Sequence, residues 1–449
     1  MIRMSLAEIA AALGCETPAG ETTVDRVVTD SRKVEYGSLF AALPGSQVDG
    51  HDFAGAAAKL GAAALLVNRP LDIDLPQLVV DDVLKALGRL ASHLRRKIAP
   101  VVVGITGSNG KTTVKEMVAS ILVQSGDVLS TQGNFNNELG LPLSLFGLEE
   151  RHRYAVLEMG ASRAGDIAYL AGIAAPDVGL ITNIGPAHLR GFGSEEGVAL
   201  AKGELYASLP EAGCAVMNAD EPWLPRWQEL NTAGRLLTFG VSALADVRLV
   251  DENGESRLET PAGPIELRLA LPGRHNLINA AAAAAVAIEL GVDSAAIRTG
   301  LAAVKPVPGR LNLLRTQPGW TVIDDTYNAN PASLYSALRV LSDLQGTAWL
   351  VLGDMKELGG GSHKMHREVG EAAKVMGVAR LFATGEMTVY TVDSFGEGAE
   401  HFESRDALIA ALLEQLRPGV NCLVKGSRSM GMEAVVEAIA RRPGMREAS

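Results

Sequence analysis

Cysteine is scarce in this chain of 449 residues, and its three copies, Cys15, Cys214 and Cys422, lie far apart. An odd number of widely spaced cysteines excludes a disulfide framework and a zinc knuckle. No apolar run reaches the ~18 residues that a membrane span needs, and the first residues lack the apolar core and cleavage site of a signal peptide. We therefore expect a cytoplasmic protein that does not insert stably into a membrane.

An excess of positive charge is also missing. Lysine and arginine number 41 against 52 aspartates and glutamates, so the formal net charge is −11. Nucleic acids and anionic membrane surfaces attract proteins with an excess of basic residues, so neither is an expected partner. A small anionic substrate stays compatible with this charge if basic side chains are concentrated in one cleft.

The overall composition indicates a globular protein. Apolar residues make up 47% and charged residues 21% of the chain, close to the soluble average. At roughly 150 residues per domain, the length corresponds to about three domains. We expect the protein to be a monomer.

The order of predicted elements is typical of an α/β fold. The first part combines a short helix at 5–13, which begins with a capping box, and short β-rich runs at 62–67 and 78–80. An amphipathic stretch at 83–97, whose apolar residues recur at helical spacing, predicts a helix that leads into a second domain.

Continuous apolar runs then alternate with helical patterns, as in parallel sheets that are buried on both faces. These runs lie at 101–105, 154–157 and 178–181, and again at 320–323, 348–352, 380–383 and 421–424. The second group is typical of a doubly wound sheet. We predict domains at 1–83, 84–311 and 312–449.

The strongest local signal lies at 101–113, where Val-Val-Val-Gly-Ile-Thr-Gly-Ser-Asn-Gly-Lys-Thr-Thr runs from a strand through a glycine-rich turn into a helix. Backbone N–H groups in such a turn can surround a polyphosphate, Lys111 can reach its terminal phosphates, and Thr112 or Thr113 can bind Mg²⁺. The spacing differs from the general phosphate-loop rule, since the first glycine lies six residues before Gly110 instead of five. The alternative is an ordinary tight turn between a strand and a helix.

Two residues further along follow apolar strands. Glu158 comes after the run at 154–157, and His188 comes after the run at 178–181. Both would lie at the carboxyl ends of strands, where open α/β sheets bind ligands. A carboxylate and an imidazole there could complete the coordination of Mg²⁺ beside phosphates. The alternatives are a helix cap for Glu158 and a loop position at a solvated edge for His188.

Together these motifs resemble those of the ATP-dependent Mur ligases, which form amide bonds in peptidoglycan precursor synthesis. The resemblance covers nearly the whole chain. The matching segments are 106–113, which has the shorter phosphate loop of this family, 133–142, Glu158, His188, 201–204, 272–276, 308–310 and 324–333.

The resemblance implies three domains: a small N-terminal α/β domain for the UDP end of the substrate, a central phosphate-loop ATPase domain with a mainly parallel sheet, and a Rossmann-like C-terminal domain. Within the family, the segments 30–32, 43–53 and 328–333 are most similar to ligases that add D-alanyl-D-alanine to UDP-N-acetylmuramoyl-tripeptide. The Asn-Pro-Arg signature typical of the ligases that add meso-diaminopimelate is absent from the sequence. Whether the third residue of the tripeptide is lysine or meso-diaminopimelate stays open.

The resemblance also implies which residues hold ATP, the substrates and Mg²⁺. The UDP end would contact Ser31, Arg32, Gly45, Asp49, Gly50, His51 and Phe53. ATP would contact Gly107, Ser108, Asn109, Gly110, Lys111, Thr112, Thr113, His275, Asn276, Arg310 and Asp325. The tripeptide and the dipeptide would contact Asn136, Asn137, Asn328, Asn330, Lys425 and Arg428. Mg²⁺ would be held by Thr112, Glu158, His188 and Lys202, the last as a carbamate.

The implied reaction proceeds through an acyl phosphate. ATP would phosphorylate the terminal carboxylate of the tripeptide while Lys111 and Arg310 offset the charge, and the amine of the dipeptide would then attack. Asn137 and His188 are the candidates for orienting that attack, and a carbamylated Lys202 would hold a second Mg²⁺. No general base is identified.

Several of these assignments have plainer alternatives. The residues assigned to the UDP end could be a cluster of glycine-rich turns. Lys202 could be a surface lysine on a helix at 195–206, and Asn276 could be a helix cap. The chain as a whole could be another Mur ligase, a folylpolyglutamate synthetase, or an ATP-binding switch protein that hydrolyses ATP without needing two further substrates.

Overall fold

Three sheets, in which most neighbouring strands are parallel, organise the fold. The computed structural model describes residues 1–45, 48–186, 189–252 and 255–440. Within this part of the chain, a four-stranded, a nine-stranded and a six-stranded sheet follow one another, together with a two-stranded ribbon at the start. The predicted α/β fold with three domains is confirmed, whereas the limits of the domains stay a prediction.

The first sheet brings the carboxyl ends of four parallel strands to one edge. Its part of the chain contains β1 (Met4–Ser5), α1 (Leu6–Leu13), β2 (Thr23–Val24), β3 (Arg26–Val28), β4 (Ser38–Ala41), α2 (Ala54–Lys59), β5 (Ala64–Val67) and β6 (Gln77–Val79), with 3-10 helices at Ser31–Lys33 and Gly50–Phe53. The strand order is β3-β4-β5-β6. Both 3-10 helices follow the carboxyl end of a strand, so the residues predicted for the UDP end lie at the edge where such sheets bind ligands.

A single helix, α3 (Val83–Ile98), joins the first sheet to the second. The side chains of Leu87 and Leu94 on its apolar stripe are fully buried. They belong to one core that also contains Leu39 of the first sheet and Leu157 of the second. The amphipathic helix predicted from the sequence therefore lies between two sheets and packs on both.

The second sheet places three strand ends side by side. Its part of the chain contains β7 (Val101–Thr106), α4 (Lys111–Leu122), β8 (Asp127–Ser130), α5 (Gly140–Leu145), β9 (His152–Glu158), α6 (Asp166–Ala174), β10 (Val178–Ile181), α7 (Leu189–Phe192), α8 (Glu195–Ala207), β11 (Cys214–Asn218), α9 (Leu224–Leu230), β12 (Arg235–Gly240), β13 (Val247–Glu252), β14 (Glu255–Glu259), β15 (Ile265–Glu266), α10 (Arg274–Glu289) and α11 (Ser294–Ala302). The order is β15-β14-β13-β12-β11-β10-β7-β9-β8, with antiparallel pairing at β13-β14 and β14-β15. Because β7 lies between β9 and β10, the segments that follow these three strands meet at one edge.

The alanine-rich run lies in α10, which packs against α4 beneath that edge. Residues 280–287 are at most 1% exposed. Small side chains let two helices approach closely, which brings Asn279 next to the glycine turn that precedes α4. No helix in the described part of the chain is long and apolar enough to cross a membrane.

The third sheet has a core on each face. Its part of the chain contains β16 (Asn312–Arg315), β17 (Thr321–Asp325), α12 (Pro331–Asp343), β18 (Thr347–Gly353), α13 (Ser362–Val375), β19 (Arg380–Thr384), α14 (Thr388–Phe395), β20 (Ala399–Phe402), α15 (Arg405–Gln415), β21 (Val420–Lys425) and α16 (Glu433–Ala440), with 3-10 helices at Gly359–Gly361 and Arg428–Met430. The order is β16-β17-β21-β18-β19-β20, and β16 is an antiparallel edge strand. The two cores are built from residues of this region, 311–439.

Candidate active site

A cleft of about 1010 Å³ opens where the carboxyl edge of the second sheet faces that of the third. Many of the residues predicted for ATP, the peptides and catalysis line it. They are Gly107, Ser108, Asn109, Gly110, Lys111, Thr113, Asn136, Asn137, Glu158, Lys202, His275, Asn276, Arg310, Asp325, Asn328, Asn330 and Lys425. The residues predicted for the UDP end are not part of this lining and lie at the edge of the first sheet.

Two glycines shape the turn between β7 and α4. Gly107 and Gly110 have φ angles of +148° and +80°, which other residues rarely adopt, and a Cβ on Gly107 would lie 1.8 Å from Thr182 Oγ1. Lys111 begins α4 and donates from Nζ to the Gly107 carbonyl O at 2.9 Å. Free N–H groups at the start of a helix, together with a lysine, form an anion site. The predicted phosphate loop therefore has the local structure that binding a polyphosphate needs.

Thr182 and Asn183, directly after β10, hold this loop in place. Thr182 Oγ1 donates to the Asn109 carbonyl O at 2.6 Å, and Asn183 Oδ1 accepts from the Asn109 N–H at 2.9 Å. The Ser108 N–H donates to the Asn183 carbonyl O at 2.9 Å. Neither Thr182 nor Asn183 was singled out from the sequence, although two polar residues directly after an apolar strand were a usable signal.

Glu158 is a buried carboxylate at the end of β9, with 2% of its surface exposed. Its Oε2 accepts from Thr112 Oγ1 and its Oε1 from Asn136 Nδ2, both at 2.8 Å. The Glu158 N–H donates to Thr131 Oγ1 at 3.0 Å. The helix-cap alternative is wrong, because the carboxylate lies in the cleft against the phosphate loop.

Lys202 lies on the inner side of α8 and is 3% exposed, so the surface-lysine alternative is wrong. Burial lowers the pKa of Lys202 well below its usual value; the charge of Lys111 acts in the same direction, and Glu158 opposes it. Among the described residues, the Lys202 amine has no hydrogen-bonding partner. A buried amine of this kind is neutral far more often than an exposed lysine.

Arg310 reaches the phosphate loop from the segment before the third sheet. Its Nη2 donates to Thr112 Oγ1 at 3.0 Å, and its guanidinium carbon lies 4.1 Å from the centre of the Tyr327 ring. The Arg310 Nε is buried without a hydrogen-bond partner in the described structure. Tyr327, which was not predicted as a site residue, thus supports an arginine that keeps a free donor.

Asp325 and Lys425 form a buried ion pair in the third sheet. They end the neighbouring parallel strands β17 and β21 and are paired in register. Lys425 also donates to the Asn328 carbonyl O at 2.9 Å. Burial raises the pKa of Asp325, and Lys425 opposes that rise. Both predicted residues line the cleft, but each already has the other as its partner.

His275 and Asn276 lie in the first turn of α10. Burial, with a smaller effect of Lys425, lowers the pKa of His275 to about 4, so this imidazole is neutral at pH 7. Asn276 Nδ2 donates back to the Pro272 carbonyl O at 2.7 Å, while its Oδ1 accepts from Asn279 Nδ2 at 3.1 Å. The cap alternative for Asn276 is wrong, because the N-cap of α10 is Gly273.

The other predicted peptide contacts offer donors to the cleft. Asn137 Oδ1 accepts from the Gly140 N–H at 2.8 Å, and Asn328 Oδ1 accepts from the Ala329 N–H at 2.9 Å. Their NH₂ groups have no partner among the described residues. His188, the predicted metal ligand and catalytic residue, lies outside the described residues.

Arg428 stands at the rim of this region. Its guanidinium pairs with Glu433 at 3.3 Å and lies 5.9 Å from the Tyr327 ring centre. In the described part of the chain, no group of three or more His, Cys, Asp or Glu side chains is placed to hold a metal ion. The predicted metal ligands there are the Thr112 hydroxyl, the Glu158 carboxylate and Lys202.

At the edge of the first sheet, the predicted UDP residues form a hydrogen-bonded turn. Asp49 pairs with His51 Nδ1 at 2.6 Å and with Arg69 at 2.8 Å. Gly45 and Gly50 pack tightly, since a Cβ on either would lie within 2.6 Å of a backbone carbonyl O. Arg69, which follows β5, was not predicted from the sequence.

Two larger side chains at this edge are exposed. The Arg32 side chain is 87% exposed and pairs with Asp30 at 2.8 Å, and Phe53 is 41% exposed. Ser31 begins the 3-10 helix that carries Arg32. An exposed guanidinium, paired with Asp30, and an exposed ring are therefore accessible to a charged, aromatic ligand.

Comparisons with known proteins match this arrangement along nearly the whole chain. Family profiles described as "Mur ligase family, catalytic domain", "Mur ligase middle domain" and "Mur ligase, glutamate ligase domain" match residues 23–95, 105–287 and 309–428. A UDP-N-acetylmuramoyl-tripeptide–D-alanyl-D-alanine ligase of Escherichia coli is 44% identical over 448 residues, 98% of this chain and 99% of its own length. The chain belongs to the Mur ligase family.

Further relatives are similar to this Mur ligase over most of its length. The ligase of the same name from Bacillus subtilis is 36% identical over 437 residues, 94% of either chain. A crystal structure of MurF from Acinetobacter baumannii superposes with a TM-score of 0.92 at 33% identity, covering 98% of this chain and 100% of that one. MurF of Thermotoga maritima in complex with ADP gives a TM-score of 0.83 at 32% identity, covering 92% and 97%.

Folylpolyglutamate synthase of Mycobacterium tuberculosis, complexed with ADP and AMPPCP, has the same type of fold. Its TM-score is 0.62 at 20% identity, covering 80% of this Mur ligase and 95% of the synthase. At that identity, the similarity extends to the fold alone.

A half-buried carboxyl group lies behind the segment that holds the phosphate loop. Glu221 follows β11, and its Oε1 accepts from the Ile184 N–H at 3.0 Å. Burial raises the pKa of Glu221 to about 7, and the charges of Glu195 and Asp220 add to the rise. Glu221 therefore changes its charge near neutral pH.

Replacing Glu221 with glutamine is expected to make the stability of this Mur ligase less dependent on pH. The pKa in the folded state, about 7, exceeds the ordinary value of 4.5. The folded wild type therefore holds the proton more tightly, and its free energy of unfolding falls as pH rises through this window. Glutamine keeps an acceptor for Ile184 but does not titrate. In urea unfolding, the free energy of unfolding of the variant minus that of the wild type should rise by about 1–3 kcal/mol from pH 5 to pH 8.

The control for this measurement is Glu211→Gln, which removes the same charge from an exposed position. The free energy of unfolding of this control should differ from that of the wild type by the same amount at pH 5 and at pH 8. A Glu221→Gln variant that behaves like this control would contradict the assigned titration.

Proposed function

We propose that this Mur ligase joins D-alanyl-D-alanine to UDP-N-acetylmuramoyl-tripeptide in the cytoplasm, with ATP converted to ADP and phosphate, as a step in peptidoglycan precursor synthesis. The observation that carries the proposal is the match over 98% of the chain, at 44% identity, to a ligase with that name. The geometry supports it, because one cleft joins a phosphate loop to donors from the third sheet.

ATP occupies the cleft between the second and third sheets. The N–H groups of the loop and Lys111 surround its phosphates, and the free Nε of Arg310 faces its terminal phosphate. The neutral His275 and the amide of Asn276 lie toward the nucleoside, where an uncharged surface suits a base. Asp325, as the partner of Lys425, forms the wall on the ribose side.

Mg²⁺ fits the donors on this side of the cleft. Hydroxyl and carboxylate oxygens are its preferred ligands, and Thr112 and Glu158 supply them next to the phosphate loop. A carbamate on Lys202 adds a second carboxylate-like group in a place that otherwise holds a buried amine without a hydrogen-bonding partner among the described residues. When bound, Mg²⁺ supplies positive charge that neutralises the phosphates. His188 stays a proposed ligand.

In the first step, a terminal carboxylate oxygen of the tripeptide attacks the γ-phosphorus, and the bond to the ADP oxygen breaks. Lys111 and Arg310 hold the oxygens whose negative charge must be offset as the phosphoryl group moves. The product is an acyl phosphate, whose carbonyl carbon is electrophilic enough for an amine.

In the second step, the amine of D-alanyl-D-alanine attacks that carbonyl carbon, loses a proton and displaces phosphate. The unpaired NH₂ group of Asn137 can donate to the carbonyl oxygen, with His188 as a second proposed donor. Asn328, Asn330, Lys425 and Arg428 belong to the side from which the dipeptide enters, and Arg428 has the most accessible charge, with its side chain 65% exposed.

The UDP end binds at the carboxyl edge of the first sheet. There, Arg32 and Arg69 offer positive charge for the diphosphate, and Phe53 offers a ring for the uracil. Ser31, Gly45, Asp49, Gly50 and His51 form the turn that holds these groups. The tripeptide then extends along the start of α3 to the phosphate loop.

ADP release with single substrates and with pairs of substrates tests the proposal. We expect rapid release of ADP to require UDP-tripeptide and D-alanyl-D-alanine together, and the ligated UDP-pentapeptide to appear in equal amount. Rapid ATP hydrolysis without both substrates would favour the ATP-binding switch. Turnover with a folate and glutamate instead would favour the folylpolyglutamate alternative.

A further inference from the structure

Among the described residues, two side-chain hydrogen bonds reach the phosphate loop from the third sheet and from the segment directly before it. One runs from Arg310 to Thr112 at 3.0 Å, and the other runs from Asn330 Nδ2 to Asn109 Oδ1 at 2.8 Å. Arg310 has an evident role at the phosphate. The second contact lies between two uncharged amides and needs its own explanation.

The orientation of the Asn330 amide is fixed by the helix that it caps. Asn330 is the N-cap of α12, and its Oδ1 accepts from the Ser333 N–H at 2.9 Å, while the Asn330 N–H donates to Ser333 Oγ at 3.1 Å. Because Oδ1 is used by the cap, Nδ2 must point away from the helix, and it meets Asn109. Any movement of α12 therefore moves the donor to Asn109.

The Asn109 backbone is fixed equally well on the other side. Its N–H and its carbonyl O both bond to the segment after β10, at 2.9 Å to Asn183 Oδ1 and 2.6 Å to Thr182 Oγ1. Since Oδ1 of Asn109 accepts from Asn330, its Nδ2 is left without a partner among the described residues, in the wall of the cleft. The third sheet thus sets the direction of a donor within the phosphate loop itself.

We propose that Asn330 is a positioning residue that docks the third sheet on the phosphate loop through Asn109, and that it does not contact the dipeptide. Its Oδ1 accepts from the cap and its Nδ2 is directed at Asn109 Oδ1, so only the second N–H of Nδ2 is left for another partner. The contact forms when α12 lies against the loop and is broken when it moves away, so it links the position of the third sheet to the shape of the nucleotide site.

The variant that isolates this contact is Asn330→Ser. A serine hydroxyl is a good N-cap, so α12 keeps its cap, but the hydroxyl is too short to reach Asn109. We expect the melting temperature to stay near the wild-type value and kcat to fall about tenfold, the upper range for one hydrogen bond, while KM for D-alanyl-D-alanine is unchanged. Asp293→Ser, which alters the cap of α11 away from the cleft, is the matched control and should leave kcat unchanged.

A double-mutant cycle decides whether the effect passes through Asn109. If the two amides act as a pair, Asn330→Ser should cost less than about twofold in an Asn109→Ala background. A full tenfold loss in that background would overturn the proposal. So would a selective rise in KM for D-alanyl-D-alanine at unchanged kcat, which would make Asn330 a dipeptide contact.

The kinetic readout rests on the proposed function, so a second readout without turnover is needed. Small-angle scattering with a non-hydrolysable ATP analogue should give a larger radius of gyration for Asn330→Ser than for the wild type and for Asp293→Ser. Equal radii for all three proteins would overturn the docking role. Because this measurement needs no second substrate, it separates that failure from a failure of the proposed reaction.

Discussion

The Lys111→Ala variant is expected to lose ligation by about 10³-fold while it still binds UDP-tripeptide. Lys111 lies in the first turn of α4 with its Nζ at the Gly107 carbonyl, where we propose that it faces the phosphates of ATP. The turn around Asp49 and His51, where we place the UDP end, belongs to a different sheet. Loss of the cation therefore removes charge stabilisation from phosphoryl transfer and leaves the anchoring of the substrate intact.

ADP release measures the first part of this prediction, and calorimetry with UDP-tripeptide in the absence of ATP measures the second. Lys364→Ala, which removes a lysine whose side chain is 81% exposed on α13, is the control and should not change either quantity. A Lys111→Ala protein that no longer binds UDP-tripeptide without ATP would contradict the separation of the two sites.

The Lys202→Ala variant is expected to lose metal-dependent turnover by about 10²-fold or more, and short carboxylates added to the solution should partly restore it. A carbamate forms only on a neutral amine, and both burial and the charge of Lys111 lower the pKa of Lys202. CO₂ should therefore react with this lysine more readily than with an exposed one. Alanine removes the resulting negative group and leaves a space that acetate or formate can fill.

Lys202→Arg is the decisive companion to that experiment. A guanidinium does not take up CO₂ and would place a cation where Mg²⁺ needs an anion, so this variant should be as inactive as Lys202→Ala and should not respond to added carboxylates. Wild-type turnover of Lys202→Arg would disprove the carbamate role. Mass spectrometry of the native protein in bicarbonate buffer offers an independent check of the modification.

The sheets and the phosphate loop were predictable because their signals are local. A continuous apolar run such as 101–105 is long enough to be a buried strand by itself, and the glycine turn with Lys111 follows it directly. The antiparallel strands β13 to β15 were missed. Their burial is mixed, as in β14, where one residue of five is buried, so no apolar run marks them.

The positions of single site residues depended on contacts between distant segments. Lys202 looked like a surface residue because its helix has little amphipathic pattern, yet packing leaves it 3% exposed. Asp325 and Lys425 meet through strand register, and Asn330 meets Asn109 across 221 residues of sequence. The raised pKa of Glu221 likewise depends on how deeply the fold buries it. None of these features can be predicted from a short stretch of sequence.

The position of α3 also has a consequence for the length of peptide that fits the enzyme. This helix is part of one core with both the first and the second sheet, so the proposed UDP site and the phosphate loop are held at a fixed separation. The third sheet, which has its own cores, is the proposed side of the amine. We therefore expect the enzyme to select the UDP-peptide by the length of its peptide. One peptide residue spans about 3.5 Å, so a UDP-dipeptide anchored at its nucleotide end would hold its carboxylate one residue short of the γ-phosphorus, and a longer peptide would have to buckle to fit.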